Sequence, residues 1–125
     1  MATYLVTGAN RGIGFEYCKQ LLERGDQVIA VCRQSSPELD SLGKSHSLLK
    51  IETGIDVSDD SAIATLVQSL QNQSIDVLIN NAGIYRPSTL NSLDVDGIRE
   101  QFEINAIAPL KFTQALLAKL NTNQP

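Results

Sequence analysis

Glycines at positions 8, 12 and 14, with Arg11 between the first two, are the residues of this 125-residue sequence best suited to holding a phosphate. The motif Thr7-Gly8-Ala9-Asn10-Arg11-Gly12-Ile13-Gly14 follows a short β-favouring run, Tyr4-Leu5-Val6, and a helical pattern begins at Ile13. Such a loop turns backbone N–H groups and a helix N-terminus toward an anion, which the helix dipole favours. Gly8 suits the positive φ of a tight turn. Gly12 has no Cβ to block a pyrophosphate, and Gly14 lets helix and strand pack closely. A second β-like run over 27–32 follows a Gly25-Asp26 turn, so strand, loop, helix and strand fit the roughly 30 residues of one βαβ unit. The spacing is GxxxGxG rather than the general GxGxxG fingerprint. Alone, it can also be read as a βα turn with no ligand.

The residues that end the second run bear on which phosphate would be held. Dinucleotide-binding units that take NAD place an acid there, accepting hydrogen bonds from the ribose hydroxyls. Here the position holds Cys32, followed by Arg33, and arginine is suited to bidentate phosphate binding. Arg11 and Arg33 together favour NADP(H) over NAD(H), although each arginine also suits a solvated surface position.

These residues need a scaffold, and composition permits one. A hydrophobic content of 42% with 19% charged residues fits a packed core rather than disorder. The net charge of −4, without a basic run, argues against nucleic-acid binding. No apolar stretch nears the roughly 18 residues of a membrane helix, and no signal-peptide pattern precedes the first strand. Cys18 and Cys32 lack metal-type spacing and read as buried thiols of a cytoplasmic protein. His46, the only histidine, is expected in a solvent-exposed loop, and no metal site is expected.

The periodicity predicts a helix over 13–24 with Ile13, Tyr17, Cys18, Leu21 and Leu22 inward. A buried strand over 28–31 follows, then a short helix opened by Pro37 and a third strand over 48–51. Ser58 is expected to cap a helix with Ile63, Leu66, Val67 and Leu70 as its inward stripe. A fourth strand spans 75–79, and a long helical region over 95–120 is interrupted by Pro109, which should kink it. Residues 121–125 read as a polar tail. Alternating strands and helices imply an α/β fold: a Rossmann-like, doubly wound parallel sheet with right-handed crossovers and order 3-2-1-4.

Four motifs in this order resemble the N-terminal, cofactor-binding half of the short-chain dehydrogenase/reductase family. They are Thr7 to Gly14 (TGxxxGIG), Asp56-Val57, Asn80-Asn81-Ala82-Gly83 (NNAG) and Asn105 in Glu103-Ile104-Asn105-Ala106. The wording ANRGIG and INAIAPL is closest to the C-factor and sniffer-type carbonyl reductase branch. The resemblance implies a single, incomplete NAD(P)-binding Rossmann domain over 1–125, with NADP as cofactor. Its cofactor-binding residues are Gly8, Asn10, Arg11, Gly12, Ile13, Gly14, Arg33, Asp56, Val57, Asn81, Ala82 and Gly83. Asp56-Val57 would border the adenine, Asn81 and Gly83 would approach from the end of strand four, and Asn80 would tie neighbouring strands. Asn105 matches the one remaining member of the catalytic tetrad, which holds a water in the proton relay. It reads equally as a buried asparagine satisfying backbone near the Pro109 kink.

The family moves a hydride between nicotinamide and a carbonyl or alcohol, with a tyrosine as general acid/base and a lysine four residues on. Tyr4, Tyr17 and Tyr85 are followed at that spacing by Gly8, Leu21 and Thr89, so there is no YxxxK. The strand that would carry the catalytic serine is also absent. The chain by itself is therefore expected to be inactive, its carbonyl or alcohol substrate requiring a completing half. The alternative is a non-catalytic nucleotide-binding regulatory module, or a subunit that pairs with another chain. Self-association is expected through the strand of Ile75, Val77, Leu78 and Ile79, and through whichever of Ile104, Ile107, Phe112 and Leu116 face outward.

Overall fold

The protein is described here from a computed structural model covering residues 1–121. Four strands, β1 (Thr3–Thr7), β2 (Gln27–Val31), β3 (Leu49–Glu52) and β4 (Val77–Ile79), form a parallel sheet in the order β3-β2-β1-β4. That is the order expected from the alternation of strands and helices. The central pair is in register from Thr3↔Gln27 to Thr7↔Val31, and β4 joins β1 from Tyr4↔Val77 to Val6↔Ile79. Both faces of β1 and β2 are covered, so side chains of alternate residues enter two separate cores.

One core gathers Val6, Val28, Ala30 and Cys32 of the sheet against Cys18, Leu21 and Leu22 of α1 (Gly12–Glu23) and Leu39 and Leu42 of α2 (Pro37–Ser45). The other sets Leu5, Ile29, Val31 and Ile75 against Ile63, Leu66 and Leu70 and against Phe112 and Leu116. Its helices are α3 (Asp60–Ser69) and α5 (Ala108–Leu116), which Lys111 and Asp60 also join at 2.7 Å. The inward stripe of α1 is Gly14, Cys18, Leu21 and Leu22, whereas Ile13 is 69% exposed and Tyr17 also lies outside. Ile13 falls one residue ahead of the stripe, which turns it toward the end of the sheet.

Local chemistry sets the helix starts. Ser36 accepts from the Leu39 N–H at 3.1 Å and Pro37 opens α2. Asp59, not Ser58, caps α3, its Oδ1 accepting from the N–H groups of Ser61 and Ala62. Ser58 is instead held by Asp56, whose Oδ1 accepts from its N–H at 2.9 Å and its hydroxyl at 2.7 Å. His46 is half-buried at the C-terminus of α2 rather than in an exposed loop, with Nδ1 3.0 Å from Ser45 Oγ and 3.2 Å from the Leu42 carbonyl oxygen.

The long helical region opens with α4 (Val95–Phe102), capped by Asp94, and reaches α5 through a π-helical turn, Glu103–Ile107. The Ala108 N–H reaches back five residues, to the Glu103 carbonyl, just before Pro109, which has no N–H to give. The wider turn absorbs the proline. A 3₁₀ turn, Leu117–Lys119, ends the region, and Leu120 pairs with Ile75 in parallel: Ile75 N–H to Lys119 O and Asn121 N–H to Ile75 O, both 2.8 Å. Of the expected polar tail only Asn121 is described; the rest lies outside the described residues.

Candidate functional site

The site begins where β1 and β4 end side by side. The Thr7 hydroxyl, in a residue 1% exposed, accepts from the N–H groups of Asn81 and Ala82, each at 2.9 Å. The Asn81 amide donates to the carbonyls of Thr7 and Gly8 at 3.1 and 3.2 Å. Asn81 therefore ties the strands together, the task sequence reading gave to Asn80. The Asn80 amide donates instead to Thr113 Oγ1 on α5 at 3.0 Å. Gly8 has φ +62°, and a Cβ there would lie 3.0 Å from Ala82 Cα. A Cβ on Gly14 would run into the Gly8 carbonyl, so the loop, α1 and the end of β4 close on one another only with glycine at both places.

Beyond these ends opens a cleft of about 440 Å³. One side carries Gly8, Asn10, Arg11, Gly12 and Ile13, and a second carries Cys32, Arg33, Asp56 and Val57. A third carries Asn81, Ala82, Gly83, Ile84 and Arg86, with Glu100 and Ile104 reaching in from the helical region. All of the predicted cofactor residues except Gly14 line it, and Gly14 shapes it from beneath. Asn10 is anchored through its amide, which donates to the Gln34 carbonyl at 3.0 Å. Gly12 has φ +58° with nothing within 4 Å of where a Cβ would be, so that corner is open.

The electrostatics are uneven. Asp56 is held below the usual carboxylate range, first by the Ser58 hydroxyl and N–H, with Arg33 adding to the effect. Burial pushes the Cys32 thiol up, with Asp40 adding to it, and pushes Cys18 up to about 12, with Cys32 adding to it. Neither thiol is a ready nucleophile.

A second hollow of about 590 Å³ adjoins the cleft, lined by Asn80, Ile84, Tyr85, Asn105 and Pro109 and sharing Arg11 and Arg86 with it. Asn105, carried on the π-helical turn, accepts from the Ile84 N–H and donates to the Ile84 carbonyl, both at 2.8 Å. Its side chain is thus committed to backbone, as one of its two sequence readings has it, but the residue is exposed rather than buried. The backbone it satisfies belongs to the loop after β4. Gln101 adds a bond to the Arg86 carbonyl at 2.9 Å, and Arg86 pairs with Glu100 at 3.4 Å. Ile84, Arg86, Glu100 and Ile104 were missed by sequence reasoning. Only Arg86, three residues past Gly83, carried a signal that could have been used.

A nicotinamide dinucleotide fits these donors. Ser36, Asp59 and Asp94 cap α2, α3 and α4, whereas α1 starts after extended Arg11 with no side-chain cap and no acid in its first turn. Its free N–H groups lie beside the open Gly12 corner and two arginines, as an anion requires. Among the described residues, no three His, Cys, Asp or Glu side chains gather to hold a metal, and no helix is long and apolar enough to cross a membrane.

Comparison with known proteins places the fold and the motifs together. The family model for the short chain dehydrogenase matches residues 2–125, and this chain belongs to that family, whose members bind nicotinamide dinucleotides. A 1-hydroxy-2-glutathionyl-2-methyl-3-butene dehydrogenase of Rhodococcus sp. (strain AD45) is 34% identical over 97% of this chain and 52% of its own length. A carbonyl reductase from Pseudomonas aeruginosa PAO1 superposes with a TM-score of 0.87 at 36% identity, over 97% of this chain and 57% of that one. The NADPH-bound carbonyl reductase from chicken fatty liver gives 0.83 at 35%, over 95% of this chain and 51% of that one. The chain spans about half the length of the curated relatives it matches.

Proposed function

We propose that this chain binds NADP(H) in preference to NAD(H) as the dinucleotide-binding portion of an oxidoreductase acting on a carbonyl or alcohol. The observation that carries the reading is the uncapped start of α1, set in one cleft with Arg11 and Arg33 while Cys32 stands where an acid would select NAD. In this reading Gly8, Gly12 and Ile13 present backbone to the pyrophosphate, and Arg33 with Arg11 holds the additional phosphate of NADP. Asp56 and Val57 border the adenine, and Asn81, Ala82 and Gly83 border the nicotinamide half. NADPH-bound and NADP-bound structural neighbours support it.

The dinucleotide supplies the hydride when bound. In this reading the chain is part of a single NAD(P)-binding domain, and its own share of the chemistry stops at binding and orientation. Without YxxxK and the serine it turns over no substrate by itself. Among the described residues β4 pairs only with β1, and the isolated Ile75–Leu120 bridge lies just before it; this edge favours as a second reading a subunit that takes up another chain. Two free, buried thiols suit the cytoplasm.

Arg33→Ala tests the assignment. Losing a charge-assisted phosphate contact worth about 1.5–3 kcal/mol should weaken NADP binding while leaving NAD nearly unchanged in titration calorimetry. Equal losses for both dinucleotides would remove Arg33 from the phosphate.

A further inference from the structure

Arg86 stands out because it lines both the dinucleotide cleft and the adjoining hollow, yet its guanidinium is already paired. Its partner Glu100 lies 3.4 Å away and lines the same cleft, where it adds a second carboxylate to that of Asp56. The pair is half exposed, 48% and 47% at the side chains, so it is a weak one. The backbone beneath it is fixed: Asn105 grips Ile84 with two hydrogen bonds and Gln101 holds the Arg86 carbonyl. An anchored backbone thus carries an exposed, weakly paired cation into the cleft that also holds Gly12 and Ile13 at the start of α1. An arginine donating to a phosphate makes a stronger, bidentate contact than an exposed pair with a carboxylate.

We propose that Arg86 is a third anion-binding residue of the cleft, and that Glu100 is its resting counter-ion, displaced when the pyrophosphate of a dinucleotide enters. The proposal rests on the dinucleotide reading above and adds to it a residue that acts on NADP and NAD alike. Glu100 competes with the ligand for Arg86. Its removal therefore strengthens binding.

Titration calorimetry of the full chain with NADPH and NADH distinguishes the outcomes. Arg86→Met should weaken both dinucleotides by the same factor, about five- to tenfold. Glu100→Gln should tighten both by about two- to fivefold. In the Arg86→Met background Glu100→Gln should have no effect, which separates release of Arg86 from the mere loss of a negative charge. Thermal melts of each variant confirm folding, and both positions are exposed enough to tolerate the change. Weakening by both single variants would make the pair a structural brace and overturn the proposal, as would a selective loss of NADPH alone. If the unaltered chain binds neither dinucleotide, the dinucleotide reading fails and this proposal with it. If it binds and the variants do not shift it, only this proposal fails.

Discussion

Asp56 shows how one side chain is set for two tasks. It lines the cleft beside Arg33, yet its Oδ1 is already engaged by the Ser58 N–H and hydroxyl. Those bonds favour the carboxylate, so its folded pKa lies below the value near 3.9 of an unfolded chain. The contribution to stability is therefore complete above about pH 4 and lost as pH falls through the folded pKa. Ser58→Ala should lower stability at neutral pH, and the gap from the unaltered chain should close below about pH 4 when urea melts are compared. A gap independent of pH would mean that Ser58 acts through something other than the Asp56 charge. Arg33 is exposed beside it, and its guanidinium is suited to the bidentate phosphate contact that the proposed function assigns to it.

Elements matter here through their ends. Thr7 closes β1 onto the residues after β4 with one hydroxyl that accepts two N–H groups. Thr7→Val would leave both of those donors without their acceptor, at about 1–3 kcal/mol for a buried group, whereas Thr7→Ser should be nearly silent. Equal chemical-denaturation midpoints for the two variants would refute that account. Much at this scale was legible in the sequence: the strand order, the glycine loop, Pro37 at the head of α2 and the start of α4. The misreadings share a cause. Ser58 and Asp59 are both good caps, and only the backbone decides which of them precedes the helix. Asn80 and Asn81 are adjacent and chemically identical, but the path of the chain past the end of β4 takes one amide to Thr113 on α5 and the other to the carbonyls of Thr7 and Gly8. Pro109 signalled a kink, while the chain met it with a π-helical turn that carries Asn105 to the loop after β4. Nothing in the spacing of apolar residues encodes that extra residue per turn.

At the scale of the whole molecule, one edge of the sheet stands open among the described residues. Among the described residues β4 pairs with β1 alone, apart from the Ile75 bridge to Leu120, and Val77 is exposed. Along the helical region Phe102, Leu110 and Leu117 are 64%, 73% and 58% exposed on one side. This corrects the expected set, because Phe112 and Leu116 are wholly buried against the sheet and Ile104 lines the cleft. Apolar surface favours association by roughly 25 cal/mol per Å², and an open apolar strand edge invites pairing. Phe102→Lys with Leu110→Lys should lower the average mass seen by sedimentation over a concentration series; a monomer before and after mutation would reject the idea. The most direct test of the account is titration calorimetry of the unaltered chain with NADPH and then with NADH. Saturable binding of both, tighter for NADPH by tenfold or more, is the predicted result, since one charge-assisted phosphate contact is worth about 1.5–3 kcal/mol. Equal affinities, or no binding of either, would contradict it.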